Sequence, residues 1–146
     1  MLETIGLFLL ISGLIIGLGA VTVIDIHGFL GRKSGYWTES TIRTHKITKP
    51  LIWLGMLLVI IGGIIYYLLN PFSLNLVQTL IGVILVANGC FLTFWLSPRL
   101  VNLESQGKAT KVLPDKWQRA IFVSFVISFF GWWSEVVLLT ISLVRR

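Results

Sequence analysis

Residues 24–50, IDIHGFLGRKSGYWTESTIRTHKITKP, hold both histidines of the chain, two of its six acids and five of its twelve Lys/Arg. Imidazole and carboxylate together suit a divalent metal. However, His27 and His45 lie 18 residues apart, which fits no compact ligand motif, and the fixed positive charges around them oppose a bound cation. The same charges favour an anion, since a guanidinium can grip phosphate or carboxylate with two hydrogen bonds and an ammonium acts as a point charge. Arg43, Lys46 and Lys49 recur every third residue, so on a helix they share one side. They are the candidate head-group ligands, with His27 and His45 as hydrogen-bonding or titrating neighbours. The cofactor is left unassigned. Two histidines could also ligate haem iron, though both lie beside the apolar segments and not within them.

A second set of polar residues is scattered through apolar sequence. Glu135 is the acid to explain, because an intramembrane carboxylate is costly and is a functional candidate by default. At 1.5 Å per residue it lies about 21 Å from Ile121, and Tyr66 about 22 Å from Leu51, so the two share a depth with Gln78. No Lys or Arg is near to neutralise the acid. The expectation is a protonated Glu135 clasped by Tyr66 or Gln78. Asn88 is placed to hydrogen-bond Ser128 on another helix. Cys90 is the only cysteine, which excludes an internal disulfide, and it reads as a small apolar filler. No nucleophile, base and oxyanion set can be read, so an enzyme of hydrolytic type is not expected.

The elements that carry these residues follow from composition. With 55% apolar and 12% charged residues the chain departs from the soluble balance of about one quarter charged. Four segments, 5–24, 51–69, 74–96 and 120–144, contain no Lys or Arg and reach the roughly 20 residues that cross a bilayer as helix. Lipid cannot satisfy backbone N–H and C=O groups, so each must be a helix. The expected fold is an all-α integral membrane protein, one compact four-helix bundle over residues 1–146. The start, MLETIGLF, has no basic n-region, which argues against a cleaved signal.

The expected loops, 25–50 and 97–119, each hold five Lys/Arg, and the NPFS turn between the middle spans holds none. Basic residues accumulate on the cytoplasmic side, so both loops are expected inside and both termini outside, with only Arg145 and Arg146 dissenting. The +6 charge is then a consequence of threading and calls for no nucleic acid. Within the first loop, Thr38 is the expected N-cap of a surface-lying helix, Tyr36 and Trp37 its interfacial anchor, Glu39–Arg43 an i, i+4 pair, and Pro50 its junction with the second span. A gapless offset of 70 residues aligns Leu10 with Leu80, Gly19 with Gly89 and Lys46 with Lys116, the pattern a duplicated hairpin would leave.

Association of membrane helices depends on close backbone approach, and glycines mark the faces that meet. Gly6, Gly13, Gly17 and Ala20 stripe the first helix, Gly55 and Gly62 the second, Gly82 and Gly89 the third, and Ser124, Ser128, Gly131 and Glu135 the fourth. The functional expectation is a multi-pass cell-membrane protein that binds, moves or organises an anionic amphiphile of lipid-phosphate type at the cytoplasmic face. Its partners would be membrane lipids and further copies or a larger membrane complex. The alternatives are a noncatalytic accessory subunit of such a complex and a b-type haem protein.

Overall fold

The computed structural model describes residues 1–31, 33–71, 75–108 and 110–144, without the side chains of Gly31, Trp37, Thr38 and Thr41. The expectations that involve Arg32, Leu74, Arg145, Arg146 and those side chains lie outside the described residues. The chain is helical: α1 (Leu2–Gly31), α2 (Gly35–Leu69), α3 (Asn75–Phe91), a π-helical turn (Leu92–Leu96), α4 (Ser97–Ser105) and α5 (Asp115–Val144). As α3, the π turn and α4 run on without a break, the result is four long rods, each long and apolar enough to cross a membrane. The protein is thus a multi-pass, all-α bundle.

The interior and exterior are reversed relative to a water-soluble protein. Phe8, Ile15, Ile64, Leu68, Phe94 and Phe130 are exposed on the outer surface, while Asp25, Gln78, Asn88, Ser124, Ser128 and Glu135 are buried. Lipid accepts the first set, and of the second Asn88, Ser124 and Ser128 bond one another inside.

The helices run well past the apolar segments. The expected loop 25–50 contracts to the short connection between Gly31 and Gly35, and helix covers 97–105 of the expected loop 97–119. The reason is a second core: Ile42, Leu96, Leu100, Leu113 and Ile121 bury one another, with Trp95, Leu103 and Trp117 packed around them. These apolar residues, spaced among the charges, extend the bundle beyond its four apolar stretches. Residues 38–49 are helical, as the sequence suggests, but they belong to α2 and do not form a separate surface-lying element. The N-cap is Ser34, with extended backbone at φ −139° and ψ 126°, and not Thr38. Pro50 lies inside α2, where it lacks the N–H that would bond Lys46 but does not end the helix.

At the far end of α4, Gly107 adopts φ +66°, and Gly107 N–H and Lys108 N–H bond back to Glu104 O and Leu103 O, each at 2.9 Å. That left-handed glycine closes the helix with a Schellman motif. Pro98 follows the π turn by two residues; its ring crowds a carbonyl of the preceding turn and its missing N–H leaves that carbonyl unbonded. A widened turn relieves that conflict.

α1 and α2 are packed backbone to backbone. A Cβ on Gly13 would lie 2.6 Å from Gly55 O and Val59 N, and one on Gly55 2.6 Å from Gly17 Cα. The two hairpins do not pack alike: α2 and α3 touch little along their length, and α3 is held mainly by α5. There Gly131 receives Leu85, with a Cβ at 131 falling 2.6 Å from Leu85 Cδ2. Asn88 Nδ2 donates to Ser128 Oγ at 3.1 Å and to Ser124 O at 3.3 Å, and Ser124 Oγ donates to Asn88 Oδ1 at 2.9 Å. This is the interhelical bond expected of Asn88, widened to a three-residue knot.

Candidate functional site: an inner chamber at the charged end of the bundle

Where the charged stretch joins the spans, the helices leave a cavity of about 60 Å³. α1 contributes Asp25 and Gly28, α2 His45, Lys49 and Trp53, the end of α3 and the π turn Gly89 and Thr93, and α5 Ser124. Glycine stands on its wall at 28 and 89: a Cβ at Gly89 would have its nearest neighbours 3.8 Å away, whereas one at Gly28 would crowd Ile121 Cγ2 at 3.2 Å. The π turn adds to it by displacing the helical register, so that Leu92, Thr93 and Leu96 all reach the wall. Trp53 Nε1 donates to Thr93 Oγ1 at 3.0 Å, fixing the indole across the seam between α2 and the π turn.

Two polar atoms of the residues around this chamber lack hydrogen-bond partners, Asp25 Oδ2 and His45 Nε2. A buried polar group without a partner is destabilising by roughly 1–3 kcal/mol. A cavity of this size has room for water or a small polar group to supply the missing partners. A buried, unpaired carboxyl adopts its neutral acid form, so Asp25 enters the chamber as a potential hydrogen-bond donor. Among the described residues, no acid other than Asp25 and no Lys or Arg other than Lys49 lines the chamber.

The structure distributes the five expected ligand residues unevenly. Arg43 is exposed and ion-paired with Glu39, Nη2 to Oε1 at 2.6 Å, one turn away as the spacing suggests. Lys46 Nζ pairs with Glu104 Oε2 at 2.6 Å, tying α2 to α4. Both pairs face solvent, where such contacts contribute little. Only Lys49 and His45 line the chamber. His27 bonds Val23 O through Nδ1 at 2.8 Å and is not among the residues lining the chamber, so the two histidines do not converge there. Asp25, Trp53 and Thr93 are the residues that sequence reasoning missed as site components. Asp25 carried a signal, as an acid beside a span with no adjacent base. Trp53 and Thr93 carried none, because their meeting depends on the approach of α2 to the π turn.

The second polar locus lies toward the α2–α3 connection. Gln78 is buried beside Glu135 and Tyr67 and interacts with both. The tyrosine partner at this depth is Tyr67, whereas Tyr66 is fully buried in the main core and meets Tyr67 edge to face at a centroid distance of 5.0 Å. Among the described residues, no group of three or more His, Cys, Asp or Glu is placed to hold a metal ion. Compared with family models, curated proteins and solved structures, the chain matches none.

Proposed function

We propose that this membrane protein binds an anionic amphiphile at the charged end of the bundle. In this reading the head group enters the inner chamber and the apolar chains remain in the surrounding bilayer. The reading is carried by Lys49: among the described residues Arg43 and Lys46 are neutralised by Glu39 and Glu104, while Lys49 lines the chamber with no acid in ion-pairing distance. An ammonium on a half-buried wall is screened less by water and salt than one fully exposed, which makes it the better anion ligand. His45 and a neutral Asp25 supply two further hydrogen-bonding groups at the chamber, which suits a phosphate or carboxylate oxygen set. The net positive charge of the two charged stretches attracts anionic lipid to the surface. The five Lys/Arg of each charged stretch support a cytoplasmic orientation for this end of the bundle in the cell membrane, with both termini outside.

The test is lipid mass spectrometry of protein purified in mild detergent, with Lys49→Gln compared against a Lys108→Gln/Lys111→Gln control. Enrichment of one anionic lipid that falls at least fivefold in the Lys49 variant and is unchanged in the control supports the site. Equal loss from both would reduce it to general surface charge. A Soret band in the absorption spectrum would replace it with haem binding.

A further inference from the structure

We propose that Arg99, on the flank of α4, is a binding site for the phosphate of an anionic phospholipid at the charged end of the bundle. The site lies outside the inner chamber and does not depend on it.

Phe91, Trp95 and Arg99 are four residues apart on one continuous rod, so they form a column along it. The rings of Phe91 and Trp95 stack at a centroid distance of 5.0 Å, 18° from parallel. The guanidinium carbon of Arg99 lies over the indole, 4.0 Å from its centroid, where the ring quadrupole attracts a cation. Arg99 Nη1 also donates to Trp95 O. The backbone here leaves carbonyls for such a donor: the π turn shifts bonding by one residue, Ser97 N–H going to Leu92 O, and Pro98 brings no N–H. Trp95 is itself packed on the core of Ile42, Leu96 and Leu100, so the guanidinium rests on a fixed platform.

That position is unusual for an unpaired cation. Arg99 stands three residues past the apolar segment 74–96, about 4.5 Å of rise, where an arginine ordinarily extends its head to water. Here the head folds back one turn over Trp95, to the level of the last apolar residues and near Phe91 and Phe94, both exposed. A charge at that boundary is weakly hydrated, which strengthens its attraction for an anion. Arg43 and Lys46 have their acids, but among the described residues no carboxylate lies within ion-pairing distance of Arg99. Its Nε and Nη2 meet no protein acceptor, and both remain accessible.

The free Nε–Nη2 edge is the pair of donors that grips two phosphate oxygens in parallel. At the boundary of the hydrocarbon, the anion a bilayer supplies is the lipid phosphate, and exposed Phe91 and Phe94 lie on the membrane side of the guanidinium to receive acyl chains. A zwitterionic lipid would also bring an ammonium group, and Glu104, the one acid of α4, is already paired with Lys46. The geometry therefore favours a net anionic lipid such as phosphatidylglycerol. The chamber takes Leu92, Leu96 and Leu100 from the same rod, each one residue on from the column and so turned about 100° away from it.

The experiment uses the full chain with nitrogen-15-labelled arginine in phosphatidylcholine nanodiscs, titrated with phosphatidylglycerol. It follows the Arg99 Nε–H resonance, identified as the one lost in Arg99→Lys, or in Arg99→Gln should the Lys variant not fold. The expected result is a saturating shift whose midpoint is at least fivefold lower in phosphatidylglycerol than that of Arg119, which is exposed at the same end of the bundle. Native mass spectrometry from mild detergent should show retained phosphatidylglycerol falling at least fivefold in Arg99→Lys, which keeps the charge and loses the planar fork. Lys49→Gln should leave the Arg99 shift unchanged, so that failure of the chamber and failure of this site are read separately. A non-saturating shift shared with Arg119, or full retention by Arg99→Lys, would mean general surface charge and overturn the proposal. Saturation by inorganic phosphate in the absence of phosphatidylglycerol would overturn the lipid assignment in favour of a soluble phosphate. A shift that follows protein concentration and not lipid content would assign the fork to an acid of a second copy and overturn it as well.

Discussion

Trp53 Nε1 and Thr93 Oγ1, 3.0 Å apart, join α2 to the π turn at the wall of the inner chamber. Few other contacts hold these two rods together, the Lys46–Glu104 ion pair among them. Thr93→Val keeps the shape and removes the acceptor, leaving the indole N–H without a partner. It should destabilise the protein by about 1 kcal/mol, read from unfolding in detergent micelles. Trp53→Phe added to Thr93→Val should then lose less than Trp53→Phe does alone. Strict additivity would mean that the bond carries no coupling.

Glycine substitutions should divide by what each Cβ would meet. Gly55→Leu drives a side chain into the α1 backbone, where Gly17 Cα would be 2.6 Å from the first added carbon. Overpacking of this kind is destabilising by roughly 1–3 kcal/mol, and here it should separate α1 from α2. Gly19→Ala, with nothing within 4 Å, should leave thermal stability unchanged. A loss at Gly19 equal to that at Gly55 would contradict the α1–α2 interface.

Threading is tested by single cysteines at Ser105 and Ser73 in a Cys90→Ala background. Position 105 should react with a membrane-impermeant maleimide only after permeabilisation, and position 73 in intact cells. Labelling of 105 from outside would reverse the orientation.

Glu135→Gln preserves the size of the side chain and its ability to bond Gln78, and removes only the titratable proton. Equal thermal stability to the parent is expected, whereas Glu135→Leu, which leaves Gln78 with one partner fewer, should lose about 1 kcal/mol, within the range of hydrogen bonds between membrane helices. A Gln variant that folds normally yet loses a pH-dependent ligand affinity would show that the carboxyl titrates during function.

The sequence by itself determined four membrane-crossing helices, because backbone groups in lipid leave no alternative to helix over apolar runs of that length. It also marked the closest helix contacts, Gly13 and Gly17 against Gly55, and the Asn88–Ser128 bond, since small and amide side chains in lipid have few other uses. The Glu39–Arg43 pair was legible for a similar reason, as one helical turn fixes its geometry. Only the tertiary structure decided where the helices end. Ile42, Leu100 and Leu113 look like stray apolar residues in charged segments until α2, α4 and the α4–α5 connection bring them together. Asp25, His45 and Lys49 meet at one chamber for the same reason: facing depends on rotation of about 100° per residue and on the path of each helix through Pro50 and the π turn. A single residue of register moves a side chain from the interior to lipid, and no local pattern specifies that across three helices. The choice of Tyr67 over Tyr66 beside Gln78 rested on that one residue.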